Sequence, residues 1–513
     1  MNKRNCILKS LAMAMLVILG LSFTPMVNAQ TQANADAMYN GYLNTYLYTS
    51  GSTNYFTNSI TNRSDNFEWT QAYEITGVED AYDRNMSQAR QTLISNLLNT
   101  FITVNFTDKN STNLSWDTWN DDSAWSTIAL ARGYQITGNT TYLTDAENVW
   151  NMAYNRGWDS TFGGGIWENQ NKNSKCVLSN LSFVPSGIIL YQATGDSSYL
   201  TKVEAIYAWT RANLFHTSNG AVNECVKTTG VDTSTNAFNN GLFLNADAYL
   251  YRLTGNIEYY NDAILAASFQ INAYPIMSVD WPKNGPFGPD QFWRGLSNFA
   301  RWNGLWSNYS TWFQNNATEA WNNRNTTYNI TWDTIATQTP GPDILSMETE
   351  SAMVLEQVAE VEDVVAPPVF SGNYELENAK SGLALTISGG SKSNDAAVVQ
   401  EPFVSGNNAY LWTITPVSGG YYNIVNVNSG LAMNVSGASA KSKALIVQNP
   451  TQSMLTGNDK WMPILNSDGT YSFYNLNSQL ALDDTHASTA DGIQYQQYIA
   501  NYTPGQEFHV IAH

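Results

Sequence analysis

The sequence predicts a multidomain chain in which an all-α ring of paired helices is followed by an all-β domain with threefold repetition. Two sets of internal repeats, separated by a change in sequence texture, support this division. The length of 513 residues also exceeds that of one ordinary domain, and the hydrophobic content of 43% is enough for two cores. The expected architecture is an (α/α)6 barrel followed by a β-trefoil.

Residues 1–29 predict a secretory signal peptide. Three basic residues precede an apolar run at residues 11–23, and small residues at 27–29 offer a cleavage point. A membrane anchor is the alternative, but the apolar run is too short for a comfortable span and no second hydrophobic segment follows. We therefore expect a secreted protein, extracellular or periplasmic, without insertion into a membrane.

The first repeat predicts helical hairpins over residues 30–358. A Thr-Gly motif recurs at residues 75–77, 136–138, 193–195 and 253–255, and capping residues follow the last three. Glycine suits the left-handed position after a helix, and Asn, Asp, Ser and Thr suit the start of the next one. The unit is a two-helix hairpin of about sixty residues. Six such units predict a closed ring, with an open helical solenoid as the alternative.

The second repeat predicts the β domain. Residues 359–369 form an expected linker that contains two prolines, and residues 370–513 show short strands separated by Gly, Asn and Ser turns. Similar segments recur at residues 381–385, 429–433 and 478–482, and each is followed by an aromatic strand. Three equal β units predict a trefoil.

The composition excludes several classes of partner. The chain has 24 basic and 43 acidic residues, a formal net charge of −19, which argues against nucleic acid and against anionic membrane surfaces. Only 13% of the residues are charged, whereas Trp (17) and Tyr (29) are abundant. This balance is typical of surfaces that contact neutral carbohydrate. We expect the protein to be a monomer.

Cysteine and histidine are scarce. After the signal peptide only Cys176 and Cys225 remain, and they could form a disulfide or stay as separate buried thiols. The four histidines form no evident arrangement for zinc binding or base catalysis, and no nucleotide-binding or EF-hand motif occurs. We expect no cofactor and no metal.

The most informative segment is residues 119–125, in which Asp121 and Asp122 lie between Trp119 and Trp125. Cleavage of a glycosidic bond uses two carboxyl groups, and aromatic faces hold the apolar side of a sugar ring. The alternative is a solvated first helical turn, where aspartates complement the helix dipole. The pair is the candidate catalytic centre.

Most of residues 35–358 resemble glycoside hydrolase family 76, the endo-α-1,6-mannanases, which are (α/α)6 barrels. The resemblance rests on the paired aspartates and on three further segments in order, at residues 164–167, 175–180 and 238–241. The chain departs from the family pattern at Cys176, where asparagine is more usual, and at residues 237–241. These departures affect the expected subsites and not the expected fold.

The resemblance implies that Asp121 is the nucleophile and Asp122 the general acid/base of a retaining mechanism. Polar and aromatic residues around the pair are the expected substrate-binding set: Trp119, Asn120, Trp125, Trp167, Glu168, Asn180, Asn239, Asn240 and Arg294. Structural roles are the alternatives for this set. The tryptophans could be core, the asparagines could be helix caps, Arg294 could tie two helices together, and the glycines before Trp167 could form only a tight turn.

Residues 370–513 resemble the ricin-type lectins, which also occur as carbohydrate-binding modules. In that family a polar residue and an aromatic residue hold the sugar, and the third repeat supplies them as Asp483 and Tyr498, with Gln506 nearby. The first two repeats have Thr386 and Asn434 at the position of Asp483. We expect one sugar site or none, and the alternative is a trefoil that acts only as a packing module.

Together these resemblances imply a secreted endo-acting α-1,6-mannanase whose lectin-like module holds it on α-mannan or manno-oligosaccharide. A second enzymatic hypothesis is a mannosyl transglycosidase of the same family. A hypothesis of another class is a non-catalytic glycan-binding protein, which would not require the aspartate pair.

Overall fold

The computed structural model describes residues 32–64, 68–278, 288–341, 343–359, 369–417, 420–466 and 468–513. The predicted signal peptide and most of the predicted linker lie outside these residues. Helices occupy the first part of the described chain and strands the second, which confirms a helical domain followed by a β-rich one. None of the described helices is both long enough and apolar enough to cross a membrane.

The helical domain contains thirteen α-helices within the described ranges. In chain order these are α1 (Gln32–Tyr46), α2 (Glu68–Arg84), α3 (Gln88–Ile102), α4 (Asn120–Thr137), α5 (Thr140–Gly157), α6 (Val177–Leu181), α7 (Phe183–Thr194), α8 (Ser197–Leu214), α9 (Ala237–Thr254), α10 (Ile257–Ala273), α11 (Asp290–Trp302), α12 (Trp306–Asn322) and α13 (Ser346–Val358). A π-helical turn, Thr103–Thr107, extends α3.

Six of these helices form a closed inner ring. Helices α2, α4, α7, α9, α11 and α13 each pack against the next in this order, and α13 returns to pack against α2. Helices α3, α5, α8, α10 and α12 pack outside α2, α4, α7, α9 and α11, and α1 packs on α13. Because the last inner helix contacts the first, the helices do not form an open solenoid.

Burial follows from this arrangement. The inner helix α4 is buried on nearly every side, whereas the outer helix α5 buries a stripe that includes Ala146, Trp150 and Ala153. A helix with one covered face requires an apolar residue at every third or fourth position. The outer helix α5 therefore has a periodic apolar pattern, whereas the inner helix α4 is buried along almost its whole length.

Three of the four Thr-Gly motifs end a helix as predicted. Gly138, Gly195 and Gly255 end α4, α7 and α9 with φ of 70°, 80° and 71°, the left-handed region that favours glycine. The next helices begin with side-chain caps, in which Asn139, Asp196 and Asn256 accept backbone N–H groups.

The first motif is different, because no capping residues follow it and it ends no helix. Gly77 lies inside α2, at a point where α13 crosses closely. A Cβ atom at Gly77 would lie 2.7 Å from Cε of Met353 and 3.0 Å from Oε1 of Glu350. Glycine at this position permits the close approach of two inner helices rather than a turn.

Two small sheets decorate the helical domain. The hairpin β1 (Leu47–Ser50) and β2 (Thr53–Phe56) follows α1, and a three-stranded sheet combines β3 (Ser174–Cys176), β4 (Cys225–Lys227) and β5 (Gly230–Asp232). Cys176 and Cys225 are opposite each other in this second sheet and form a disulfide. Of the two possibilities for these cysteines, the structure has the disulfide.

The β domain is built from twelve described strands in one antiparallel network. They are β6 (Tyr374–Asn378), β7 (Ala384–Ile387), β8 (Ala396–Glu401), β9 (Trp412–Pro416), β10 (Tyr422–Asn426), β11 (Ala432–Val435), β12 (Ile446–Asn449), β13 (Lys460–Leu465), β14 (Tyr471–Asn475), β15 (Ala481–Asp483), β16 (Gln496–Tyr498) and β17 (Phe508–Ala512). The last strand, β17, pairs with the first, β6.

Three equivalent glutamines connect the three sequence repeats in a cyclic manner. Gln400 of the first repeat donates to backbone carbonyls of the third, Gln448 of the second to those of the first, and Gln497 of the third to those of the second. Each glutamine oxygen accepts a serine hydroxyl of its own repeat. The three repeats therefore contact one another through the same set of bonds.

The β domain covers the ends of inner helices. Ile499 lies directly on Gly138, where a Cβ atom would be 2.1 Å from its Cδ1, and the Tyr502 hydroxyl donates to the Tyr82 hydroxyl at 3.0 Å. Gln91 of α3 bonds to the carbonyl of Ala500. Residues of both domains belong to one continuous apolar cluster. The helix-ending glycines thus provide part of the surface that the β domain contacts.

Candidate active site

The paired aspartates lie in the first turn of α4, the inner helix that begins at Asn120. Trp119 precedes the helix in an extended conformation and caps no N–H group with its side chain. Unpaired N–H groups at a helix start favour negative charge. The backbone N–H groups of Asp121 and Asp122 therefore favour the ionised form of the Asp121 carboxyl group.

Burial distinguishes the two carboxyl groups. Asp121 is 6% exposed, and its Oδ1 has no hydrogen-bond partner among the described residues, whereas Asp122 is only half-buried. Burial, followed by the negative charge of Glu168, raises the pKa of Asp121 well above its usual range. Burial, followed by the charge of Asp121, raises the pKa of Asp122 to about 10. Neighbouring carboxyls cannot both ionise easily, so the pair retains a proton at neutral pH.

Two further acidic residues that sequence reasoning missed surround Asp122. Carboxylate oxygens of Glu68, Asp117 and Asp122 lie within 4.8 Å of one another. Burial and then the charge of Asp117 raise the pKa of Glu68 to about 7. Glu68 begins α2, so the packing of α2 against α4 brings it to the start of α4. The three oxygens are close enough to contact one cation, and as like charges they favour protonation of Asp122.

Asn120 anchors this first turn. Its Nδ2 donates to the Trp167 carbonyl at 2.6 Å, and its Oδ1 accepts from Nε of Arg156 at 2.8 Å. Arg156 of α5 also donates to the carbonyls of Asp117 and Trp119. The Asn120 side chain is fully buried and engaged in these bonds. Arg156, a residue missed from sequence, therefore holds the backbone just before the aspartates.

The glycine segment before Trp167 is shaped by packing. Gly164 and Gly165 have φ of 130° and 84°, and a Cβ atom at Gly165 would lie 2.5 Å from the Trp209 indole. The buried Lys175 ammonium bonds to Asp159 at 2.8 Å and to the Gly164 carbonyl at 2.7 Å. Glycine is needed in this segment because the backbone has positive φ and because Trp209 leaves no room for a side chain at Gly165.

Trp167 and Asn180 lie next to this glycine segment. Trp167 is 4% exposed, its Nε1 donates to Asp159 at 2.7 Å, and the Lys175 ammonium lies 4.7 Å from its ring centre. Asn180 is fully buried and bonds to both the N–H and the carbonyl of Ile166. Both side chains hold the backbone that supports Asn120.

Glu168 and the asparagines of α9 belong to a second group of polar side chains, which includes Glu224. Glu168 accepts the Ser174 hydroxyl, and it and Glu224 interact as like charges. Glu224, another residue missed from sequence, accepts from Nδ2 of Asn239 at 2.7 Å, and burial raises its pKa. Asn240 donates to the Gly220 carbonyl at 2.8 Å, while its buried Oδ1 has no partner among the described residues.

The remaining predicted residues lie at different depths. Trp119 is 42% exposed at the rim, whereas Trp125 is 1% exposed and packs edge-on against Tyr73 and Phe238. Arg294 of α11 is buried in ion pairs with acidic residues of three inner helices, which are Asp80 at 2.7 Å, Asp290 at 2.8 Å and Glu350 at 3.4 Å. This position agrees with the alternative in which Arg294 ties helices together.

In the β domain the structure brings Asp483 and Gln506 together. Oδ1 of Asp483 accepts from Gln506 at 3.0 Å and its Oδ2 accepts from Gln496 at 2.7 Å, so both carboxylate oxygens have protein partners. Asp483 and Gln506 are buried, whereas Tyr498 is half-buried in β16, opposite Ala481.

Comparison with known proteins identifies both domains. Residues 27–278 match the family Glycosyl hydrolase family 76, and residues 364–449 match Ricin-type beta-trefoil lectin domain-like. The second match ends before the repeat that contains Asp483 and Tyr498. No curated protein matches the chain significantly.

Solved structures of family 76 proteins share the helical fold. An inactive variant of the α-1,6-mannanase of Salegentibacter sp. HEL1_6, in complex with α-1,6-mannotriose, is 22% identical, with 64% of this chain and 98% of that chain covered and a TM-score of 0.57. The family 76 mannosidase of Bacteroides thetaiotaomicron VPI-5482 is 17% identical, with 64% and 97% covered and a TM-score of 0.55.

The family match, the helical fold and the placement of the aspartate pair agree with one another. The resemblance inferred from the sequence is confirmed for both domains. The chain therefore carries a domain of glycosyl hydrolase family 76, a glycosidase family, followed by a ricin-type lectin-like domain.

Proposed function

We propose that the protein is a secreted, endo-acting α-1,6-mannanase that cleaves α-mannan backbones with retention of configuration. The observation that carries this proposal is the position of Asp121 and Asp122 at the start of an inner helix of a family 76 domain, where burial and neighbouring carboxylates raise both pKa values. The mannanases among the structural neighbours suggest the substrate.

In the proposed first step a carboxylate oxygen of Asp121 attacks the anomeric carbon. The glycosidic C–O bond breaks, and the leaving oxygen takes the proton of Asp122, which gives a covalent glycosyl-enzyme. In the second step Asp122 takes a proton from water while the water oxygen attacks the anomeric carbon and the bond to Asp121 breaks. Two inversions give net retention, and both carboxyl groups return to their initial states.

The surroundings support this division of roles. Backbone N–H groups at the helix start stabilise the ionised form of Asp121, which suits a nucleophile. Asp117 and Glu68 lie close to Asp122 and oppose its ionisation, which suits a proton donor. Glu168 and Trp119 remain proposed substrate contacts because the first lies near Asp121 and the second is exposed at the rim.

We also propose finer descriptions of both folds. The closed inner ring with outer partners supports an (α/α)6 barrel, and the cyclic glutamine bonds support a β-trefoil. The β domain would hold the enzyme near glycan through the face that carries Tyr498.

The decisive experiment is incubation with linear α-1,6-mannan. Release of oligosaccharides, with the initial product anomer followed by NMR, supports the retaining hydrolase. Larger products would indicate the transglycosidase, and retention on mannan without cleavage would indicate a glycan-binding protein. Asp121→Asn and Asp122→Asn should each lower kcat by about 1,000-fold or more, whereas the exposed control Asp108→Asn should not. Activity that survives in both variants would contradict the site assignment.

Binding by the β domain is tested separately in the full chain. In a background that carries both Asp121→Asn and Asp122→Asn, Tyr498→Ala should weaken retention on insoluble mannan. Asn449→Ala, at the equivalent position of the second repeat, is the matched control. Equal retention by the two variants would place the sugar contact elsewhere.

A further inference from the structure

A cavity lies between the two domains, and neither Asp121 nor Asp122 lines it. Its volume is about 520 Å³, within the range of small-ligand sites. Residues of the inner helices α2, α4, α7, α9 and α11 form its walls, and loops of the β domain at residues 438–441, 455–456 and 477–479 close it. Its lining on α4 begins at Trp125, four residues or about 6 Å along the helix after Asp121, and continues to Ile136. The first turn of α4 contributes nothing to the cavity.

Arg252 is the first indication that this cavity binds a ligand. It lies at the end of α9, donates to the carbonyl of Leu476 in the β domain, and stacks 4.4 Å from the Trp302 ring centre. No carboxylate pairs with Arg252 in the described part of the chain. Burial lowers its pKa, and only Tyr421 and Tyr249 oppose that effect. A guanidinium in such surroundings has donors available to a ligand.

Acceptors without protein partners line the same space. Oδ1 of Asn298 and Oε1 of Gln479 accept no hydrogen bond from any described residue, because each side chain bonds only through its NH₂ group. The Asp83 side chain is 50% exposed, and among the described residues only its Oδ2 is paired, with Arg132 at 2.9 Å. The cavity therefore offers donors and acceptors together, with aromatic side chains beside them.

We propose that this interdomain cavity binds a neutral mono- or disaccharide. Vicinal sugar hydroxyls both donate and accept, so they can satisfy Arg252 and the acceptors of Asn298, Gln479 and Asp83 at once. A small anion would also meet Arg132, Arg301 and Lys441 in the lining, but it would face the Asp83 carboxylate and would leave the amide oxygens of Asn298 and Gln479 without donors. Tyr249 and Tyr421 supply aromatic surface of the kind that contacts sugar rings.

The site joins both domains, so an occupant would contact the ends of the helices and the loops of the β domain together. Binding would therefore stabilise the domain interface. The choice of mannose as the sugar rests on the proposed function, whereas the presence of a sugar site rests on the cavity. Glucose and galactose consequently belong among the probes.

The test is calorimetric titration of the full chain carrying Asp121→Asn and Asp122→Asn, which prevents cleavage. The probes are mannose, α-1,6-mannobiose, glucose, galactose and inorganic phosphate. We expect a class of sugar sites that Arg252→Met weakens at least tenfold and that Tyr498→Ala leaves unchanged. Lys380→Met, at an exposed position of the β domain, is the matched control. A crystal soaked with the sugar that binds should show it beside Arg252.

A second variant distinguishes loss of the binding site from misfolding of Arg252→Met. Ala440 lines the cavity, and Ala440→Trp should fill it and abolish the same class of sites without removing any hydrogen-bonding side chain. Unchanged sugar binding in both variants would overturn the proposal, as would binding of phosphate but of no sugar. Mannan hydrolysis by the chain with its native aspartates is measured separately, so failure of the proposed activity remains distinguishable from failure of this site.

Discussion

At the scale of single residues, the protonation of Asp122 controls the proposed reaction. Asp122 must hold a proton to activate the leaving group, and Asp121, Asp117 and Glu68 all act on it as like charges. The aspartate pair was predictable because both residues are adjacent in one motif. Glu68 was not predictable, because it joins the pair only through contact between α2 and α4.

The role of Asp117 can be tested by removing its charge. In Asp117→Asn the pKa of Asp122 should fall, because one negative neighbour is lost, and the remaining amide oxygen can still accept the Trp119 N–H. The alkaline limb of kcat/KM against pH reports loss of the acid's proton and should therefore move about one pH unit lower. Asp108→Asn is the control. An unchanged limb would exclude an electrostatic role for Asp117.

Asp484 is a second residue whose charge has consequences. It occupies the position that Ile387 and Val435 fill with core side chains in the other repeats, it is 1% exposed, and neither carboxylate oxygen has a partner among the described residues. Burial, followed by the charge of Asp483, raises its pKa to about 7. The folded protein therefore keeps the proton that the unfolded chain loses near pH 4.

This shift predicts pH-dependent stability. As pH rises from about 4 to about 7, the unfolded chain releases the Asp484 proton first, so the free energy of unfolding falls, by at most about 4 kcal/mol, and the loss is complete above pH 7. Asp484→Val should therefore raise the Tm more at pH 8 than at pH 5. Asp484→Asn separates the effect of charge from that of polarity. A gain in Tm that is equal at both pH values would contradict this account.

At the scale of elements, capping chemistry predicted most helix boundaries. Gly138, Gly195 and Gly255 end their helices because a left-handed residue is needed there, which is a local requirement readable from sequence. Gly77 ends the same Thr-Gly motif, but Val78 and Glu79 follow it in place of capping residues, and it serves a contact between α2 and α13. The capping residues that follow a Thr-Gly motif distinguish these uses, whereas the contact with α13 was not predictable because that helix is remote in sequence.

The glycine segment offers a matched comparison. Gly163 and Gly165 have similar positive φ values of 81° and 84°, but a Cβ atom meets no atom within 4 Å at Gly163 and lies 2.5 Å from Trp209 at Gly165. Both alanine variants carry backbone strain, and only Gly165→Ala adds a clash. Gly165→Ala should lower the free energy of unfolding by about 1–3 kcal/mol more than Gly163→Ala, measured by denaturant unfolding. Equal losses would assign the effect to the backbone alone.

At the scale of the whole molecule, the two domains share one apolar cluster, so they should unfold together. Ile499→Asp places a charge against Gly138 at this interface. We expect calorimetry to show one transition for the native chain and two for this variant. Ile511→Asp, at a 37% exposed position of the last strand, is the control. Two transitions in the native chain would indicate independent domains.

The sequence by itself determined the two-domain order, the helix caps and the adjacent aspartates, because these depend on residues close together in the chain. Only the tertiary structure decided that the side chains of Asn120 and Asn180 bond to the backbone at residues 166–167. It also decided that Glu68 and Asp117 lie close to Asp122 and that loops of the β domain close a cavity at the ends of the helices. Each of these depends on contacts between segments far apart in sequence. Burial and like-charge proximity, which give the two aspartates unequal surroundings, arise only when these segments pack together.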